Sequence, residues 1–110
     1  TVDRPETLLS SAQVETGGLS GRPLLSKSTE LLREIYSRTE GNVPLVGVGG
    51  VSSSADAYEK IRAGASLVQL YSALVFKGPA LVGEIKSGLV ESLKADGFAS
   101  IMDAVGADHR

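Results

Sequence analysis

Two short apolar runs joined by an amphipathic segment constrain the fold of this chain more than any other feature. The first run spans residues 44–50 and ends in two glycines, and the second spans residues 66–71. Both are continuous rather than alternating in their apolar character, which is typical of strands covered on both faces. The segment between them has a helical pattern that starts with Ser53 and Asp56 at capping positions. Because two strands joined by a helix lie parallel through a right-handed crossover, the sequence predicts an α/β protein.

Further helices are predicted on both sides of this unit. Apolar residues at four-residue intervals indicate a helix that begins at Ser28 and stops at Gly41. A similar pattern begins at Pro79 and ends at Gly97, and a short final turn starts at Ser100. The chain therefore alternates strands and helices after a less regular start.

The amino-terminal part of the chain is predicted to be a long loop. Residues 6–28 mix Ser, Thr, Gly and Pro with few apolar positions. We assign residues 1–27 to this loop and residues 28–110 to strand–helix units. Two strands alone would leave two open sheet edges, so the missing strands must come from elsewhere. The most economical interpretation is the C-terminal, closing portion of a (β/α)8 TIM barrel of about 250 residues, and a doubly wound sheet is the alternative.

Composition narrows the possible partners. The chain has 11 Lys and Arg residues against 13 Asp and Glu residues and a net charge of -2. Because no basic run is present either, we predict no nucleic-acid partner. Residues 67–76, the longest largely apolar stretch, are half the length needed to cross a bilayer. The start at Thr1 without a methionine leads us to expect a piece of a longer protein.

The titratable residues offer no catalytic group. Asp56 and Asp103 are interpreted as helix-start residues rather than general bases. Lys60 and Arg62 are assigned to a solvated helix face. His109, the single histidine, lies one residue from the end and is expected to be solvated or paired at the surface. With no cysteine and one histidine, the chain lacks the residues for a disulfide, a thiolate nucleophile or an ordinary zinc site, so we predict no catalytic residue and no metal.

The ends of the two strands carry the parts of a phosphate site. In barrels the active face lies at the carboxyl ends of the strands. Gly49 and Gly50 follow the first strand, where absent side chains allow backbone N–H groups to face a ligand. Tyr71 and Ser72 follow the second strand, ahead of a short helix over residues 72–76 whose amino end favours an anion. The alternative is that the glycines merely turn the chain and Tyr71 is a core aromatic residue.

Two glycine-rich segments need separate interpretation. Residues 47–52 superficially suggest a dinucleotide fingerprint, but Ser52 occupies the third glycine position and Gln69 stands where an acid is needed, so we reject that motif. Residues 17–21 form either a second backbone clamp or a flexible loop, and composition favours the flexible loop.

Five short sequence motifs occur in the same order in one known family. They lie at residues 1–5, 15–21, 47–53, 63–71 and 106–110 and read TVDRP, ETGGLSG, GVGGVSS, AGASLVQLY and GADHR. The chain resembles class 2 dihydroorotate dehydrogenase over its whole length. The resemblance implies an FMN-dependent barrel that oxidises dihydroorotate to orotate in de novo pyrimidine (UMP) synthesis and passes electrons to a membrane quinone. This chain would be its last third.

The resemblance also assigns roles to individual residues. Gly21, Gly50, Tyr71 and Ser72 match FMN contacts of the family. Tyr71, Val75 and Pro79 also resemble part of the apolar wall of its quinone channel.

The departure from the family pattern is an absence, because its serine base, flavin-contacting lysine and orotate-binding asparagines lie on upstream segments. Catalysis therefore needs the remainder of the barrel as a partner. The implied location is the inner mitochondrial membrane, or the cytoplasmic membrane in bacteria. Two alternatives stay open: a related flavin barrel of the soluble class that uses fumarate or a nicotinamide acceptor, and a non-catalytic module that binds phosphate or a partner chain.

Overall fold

The two predicted strands form a parallel sheet in the computed structural model, which describes residues 4–110. Strand β1 spans Leu45–Val48 and strand β2 spans Ala65–Gln69, and these are the strands of the sheet within the described residues. The register pairs Val48 with Gln69, so both strands end at the same edge. Residues 1–3 of the first sequence motif lie outside the described residues.

Five α-helices and two short 3-10 helices accompany this sheet in the described part of the chain. The predicted helices are confirmed, but α1 begins at Leu25 rather than at Ser28. The cause is a 3-10 turn with a proline in its first positions, which leads directly into the helix and shortens the predicted loop. The bounds are α1 Leu25–Arg38, α2 Ser54–Arg62, α3 Ser72–Lys77, α4 Ala80–Asp96 and α5 Ile101–Ala104, with 3-10 helices at Arg22–Leu24 and Ala107–His109.

The predicted helix starts have the expected capping contacts. The Ser53 hydroxyl accepts a hydrogen bond from the backbone N–H of Asp56 at 3.1 Å. Ser100 and Asp103 form a full capping box, in which the Asp103 carboxylate accepts from the Ser100 N–H at 2.8 Å. Both aspartates therefore act as helix-start residues, as predicted.

The core lies on one face of the sheet. Apolar residues of helices α2 and α4 form part of one hydrophobic cluster. Helix α1 contributes to a second cluster. On the other face Val46, Val48 and Leu67 are 50%, 49% and 67% exposed. The strands are thus covered on one face only within residues 4–110, and the open face is apolar. The cluster members are Val51, Ala57, Ala73, Leu81 and Ile85 in the first, and Leu32, Ala63 and Ala65 in the second.

Lys60 corrects one sequence prediction, because its side chain is fully buried rather than solvated. Its position on α2 faces the first turn of α1, where hydroxyl and carbonyl oxygens replace water around the ammonium group. Arg62, on the same helix, stays partly exposed and pairs with Asp96 at 2.6 Å and Asp108 at 2.8 Å. The predicted solvated face is therefore wrong for Lys60, and Arg62 is an ion-paired residue.

The tail docks on α1 and α2. The Nε2 atom of His109 lies 3.1 Å from the Ala63 carbonyl oxygen, and its ring centroid is 4.8 Å from that of Tyr36. The predicted surface-paired role of His109 is thereby confirmed. Within residues 4–110 no helix combines the length and the apolar character needed to pass through a bilayer.

Candidate functional site

A cavity of about 390 Å³ lies at the carboxyl ends of the two strands. Three separate stretches of the chain line it: the loop and 3-10 helix over residues 19–24, the end of β1 with the following turn, and residues 70–77, which follow β2 and include α3. Because β1 and β2 are parallel and end together, segments far apart in sequence meet at this edge. Its volume lies in the range of small-molecule sites.

The four residues predicted to contact FMN all line this one cavity. Gly21 comes from the loop, Gly50 from the end of β1, and Tyr71 and Ser72 from the junction of β2 and α3. The hydroxyl groups of Ser20 and Ser72 are in direct contact, which links the loop to α3 across the cavity. Ser20 also lines the cavity. The sequence analysis did not predict it as a site residue, although it lies within the glycine-rich segment 17–21.

Gly21 keeps its side of the cavity open. Its φ of 85° lies in the left-handed region that favours glycine. A Cβ atom there would meet only the Cβ of Ser72, at 3.9 Å. The loop therefore approaches α3 closely without filling the space between them.

Glycine is required at the two positions after β1 for a reason that the sequence analysis did not give. A Cβ on Gly50 would lie 2.6 Å from the backbone nitrogen of Leu25, and one on Gly49 would lie 2.7 Å from the Ser28 hydroxyl. These glycines therefore let the first turn of α1 rest directly against the end of β1. The turn that sequence reasoning expected is present, and close packing of α1 is a further requirement for glycine, while the approach of a ligand to this backbone stays a prediction.

Two cations at the cavity were missed by sequence reasoning. The Nη1 atom of Arg22 donates to the Ser52 hydroxyl at 3.0 Å and lies 3.7 Å from Asp56 Oδ2. Lys77 donates from Nζ to the Ser52 carbonyl oxygen at 2.8 Å. Neither cation belongs to a sequence pattern. The only available signals were the position of Arg22 next to Gly21 and that of Lys77 at the end of the short helix.

Asp56 anchors this side of the cavity as a carboxylate. Burial alone would raise its pKa, but hydrogen bonds from Ser52 and Ser53 and the positive charge of Arg22 outweigh that effect and hold the pKa below its ordinary value. The Ser52 N–H and hydroxyl donate to Asp56 Oδ2 at 2.9 and 3.0 Å. The carboxylate therefore fixes Ser52, on which both cations rest.

An exposed apolar surface adjoins the cavity. Tyr71 is 80% exposed, so it is not part of the core that residues 4–110 form by themselves. Val75 and Phe76 on α3 are 79% and 86% exposed, and Pro79 is exposed just beyond the helix. Val75 and Pro79 do not line the cavity, whereas Phe76, which was not predicted, does.

The groups that line the cavity are suited to binding an anion. Its titratable lining residues, within the described part of the chain, are Arg22, Tyr71 and Lys77, with no carboxylate or imidazole among them. Across residues 4–110, no three His, Cys, Asp or Glu side chains are grouped so that they could hold a metal ion. Backbone, hydroxyl and cationic groups are suited to an anionic ligand.

Comparison with known proteins agrees with this description. A family model described as dihydroorotate dehydrogenase matches residues 1–93. A protein of Azorhizobium caulinodans named dihydroorotate dehydrogenase (quinone) is 64% identical over 110 residues, which are 100% of this chain and 31% of that protein. A protein of Arabidopsis thaliana with the same name, marked mitochondrial, is 56% identical over 111 residues, which are 100% of this chain and 24% of that protein.

The fold matches solved structures equally well. A crystal structure of DHODH from Eimeria tenella, in complex with ferulenol, has a TM-score of 0.96 and 43% identity, covering 100% of this chain and 29% of that one. This match confirms the predicted α/β architecture as a part of a (β/α)8 barrel. The chain spans about 31% of the length of its Azorhizobium relative. With a family model over most of its residues and relatives matched from end to end, the chain belongs to the dihydroorotate dehydrogenase family.

Proposed function

We propose that this chain forms the FMN-phosphate side of a quinone-linked dihydroorotate dehydrogenase, completed by the remainder of the barrel. The observation that carries the proposal is the meeting of Gly21, Gly50, Tyr71 and Ser72 around one cavity in a member of this family. These four residues come from three segments, so their meeting is not a consequence of one local motif.

The groups at the cavity fit a flavin mononucleotide. Its phosphate is a dianion, and the Ser20 and Ser72 hydroxyls and the backbone at Gly50 supply neutral donors for it. Arg22 and Lys77 add positive charge at the same edge. By the family resemblance, Tyr71 would pack near the flavin ring. When bound, FMN would supply the redox chemistry by accepting electrons from dihydroorotate and passing them on.

In this proposal the residues of this chain bind and position the cofactor, and the general base lies on another segment of the barrel. The cavity lining contains no carboxylate or imidazole within residues 4–110, and the serine base that the family resemblance implies lies on segments upstream of this chain. We therefore assign proton removal to residues of the upstream barrel segments. Oxidation of dihydroorotate to orotate, and with it the role in pyrimidine synthesis, belongs to the completed barrel.

The electron acceptor is proposed to be a membrane quinone that reaches the flavin past the exposed apolar surface beside the cavity. Tyr71, Val75 and Pro79 would form part of that apolar wall, and all three are exposed. A quinone ring needs apolar contact rather than charge. The corresponding location is the inner mitochondrial membrane, or the cytoplasmic membrane in a bacterium.

The proposal is tested with a chimaera in which this chain replaces its matching 110-residue segment in the Azorhizobium caulinodans relative. The purified chimaera is expected to contain bound FMN, visible in its absorbance spectrum. Dihydroorotate should bleach that spectrum under anaerobic conditions, and a short-chain ubiquinone should restore it faster than fumarate or NAD⁺ does.

Each outcome of this test has a defined meaning. Absence of FMN, or of bleaching by dihydroorotate, would refute the proposed function and leave the non-catalytic module. Faster reoxidation by fumarate or NAD⁺ would refute the quinone acceptor and favour the soluble class. The unmodified Azorhizobium protein serves as the positive control.

Ser72 provides a residue-level test of the phosphate site. The Ser72→Ala variant of the chimaera is expected to bind FMN about tenfold more weakly, because a hydroxyl bond to a charged group contributes about 1.5 kcal/mol. Titration of FMN into the apoprotein measures this change. Ser92→Ala is the control, since the Ser92 hydroxyl bonds only within α4, to the Gly88 carbonyl oxygen at 3.0 Å. Equal FMN affinities in the two variants would contradict the assignment of Ser72.

A further inference from the structure

Lys60 is a buried cation that the proposed binding site does not use directly. Its side chain is 0% exposed. Its Nζ atom donates to the Ser28 hydroxyl at 2.6 Å, the Thr29 hydroxyl at 2.6 Å and the Leu25 carbonyl oxygen at 3.3 Å. All three partners are uncharged oxygens, and burial lowers the pKa of the amine. A buried lysine that bonds only to neutral groups is costly to maintain, which calls for a reason beyond packing.

One of these partners leads from Lys60 to the cavity. The Ser28 hydroxyl lies 3.1 Å from the carbonyl oxygen of Gly49, and it also reaches the Leu24 carbonyl oxygen at 2.7 Å. Because Lys60 donates to this hydroxyl, its single proton is left for three neighbouring carbonyl oxygens, those of Leu24, Leu25 and Gly49. Ser28 therefore joins three elements: α2 through Lys60, the first turn of α1, and the end of β1.

Holding the Gly49 carbonyl also orients the next N–H group. The carbonyl of Gly49 and the N–H of Gly50 belong to one planar trans peptide, so they point in opposite directions. When the carbonyl faces Ser28, the Gly50 N–H is turned away from α1. Within residues 4–110, that N–H donates to no protein backbone oxygen, and Gly50 lines the cavity. The donor is thus available to a ligand.

The glycine spacing of residues 47–50 fits this arrangement. A Cβ on Gly47 would lie 2.9 Å from both the Ala65 Cβ and the Lys60 Cβ, so glycine there makes room for β2 and for the lysine stem. A Cβ on Gly49 would lie 2.7 Å from the Ser28 hydroxyl oxygen. Lys60 and Ser28 therefore account in part for two of the glycines, and the third, Gly50, packs against Leu25.

We propose that Lys60 is a positioning residue that acts through Ser28 to orient the Gly49–Gly50 peptide toward the phosphate of the bound cofactor. This inference rests on the proposed function, because it needs a phosphate at the cavity. In this proposal Lys60 itself does not contact the ligand.

Two neighbouring hydroxyls provide a matched test in the chimaera. Both Ser28 and Thr29 accept from Lys60 at 2.6 Å and donate to carbonyls of α1, but only Ser28 reaches Gly49. We expect Ser28→Ala to weaken FMN binding by the apoprotein about tenfold and Thr29→Val to weaken it less than about twofold, while both lower the melting temperature of the apoprotein to a similar extent. Lys60→Met, which keeps the stem and removes the ammonium, should resemble Ser28→Ala in FMN affinity.

A purely structural clamp predicts a different result. If Lys60 only fastens α1 to α2, Ser28→Ala and Thr29→Val will change FMN affinity equally, or not at all, and the proposal is overturned. The Ser28 and Thr29 pair can overturn the proposal even if Lys60→Met does not fold. A parent chimaera that binds FMN, with no difference between the two variants, refutes this inference and leaves the proposed function intact. A parent chimaera without FMN refutes both.

Discussion

Replacing Gly50 with alanine in the chimaera is expected to lower the free energy of unfolding by about 3 kcal/mol and to weaken FMN binding by roughly a hundredfold or more. Two costs add at this position. The φ of Gly50 is 75°, where an L residue is strained by about 1 to 2 kcal/mol. The new Cβ would also lie 2.6 Å from the Leu25 nitrogen and 2.8 Å from its Cα. Backbone atoms cannot rotate out of the way as a side chain can, so α1 or the peptide after β1 must move.

Gly97 separates these two costs. Its φ of 76° is nearly the same, and a Cβ there would meet nothing within 4 Å. Gly97→Ala should therefore cost only the backbone term, about 1 kcal/mol, and leave FMN affinity unchanged. Urea unfolding and FMN titration of both variants measure the two effects. Equal losses of stability would contradict the close contact between α1 and the end of β1.

The elements of the fold were predictable because their signals are local. The continuous apolar runs, the four-residue apolar period and the glycine stops each lie within a few residues of the structure that they produce. The burial of Lys60 had no such signal. Its partners Ser28 and Thr29 are about thirty residues away, and only the packing of α1 on α2 brings them together.

The candidate site shows the same division. Gly50, Tyr71 and Ser72 could be found because parallel strands bring their ends to one edge, which is a rule of topology. Gly21 was assigned only through the family resemblance, since nothing in its own segment says that it faces Ser72. Arg22 was missed because a single cation in a loop carries no pattern. Its contact with Ser52 depends on the placement of the whole loop.

Two glycines at the other end of the molecule carry a packing requirement that the sequence analysis did not contain. Gly64 and Gly106 surround the ring of Tyr36, on which the tail also packs. A Cβ on Gly64 would lie 2.4 Å from Tyr36 Cγ and 2.6 Å from its Cβ, near the root of the side chain. A Cβ on Gly106 would instead meet the tip of the ring, at 2.3 Å from both Cζ and Oη.

Both alanine substitutions should destabilise the chimaera, but only one should be relieved by shortening Tyr36. We expect Gly64→Ala and Gly106→Ala each to lower the free energy of unfolding by about 3 kcal/mol, from a strained φ plus overpacking. In a Tyr36→Leu background the ring tip is gone, so the cost of Gly106→Ala should fall to about 1 kcal/mol. The cost of Gly64→Ala should stay near 3 kcal/mol, because leucine retains the Cβ and Cγ atoms that obstruct it. Urea unfolding of the six proteins measures both couplings, and relief of both substitutions, or of neither, would contradict the placement of Tyr36 between these glycines.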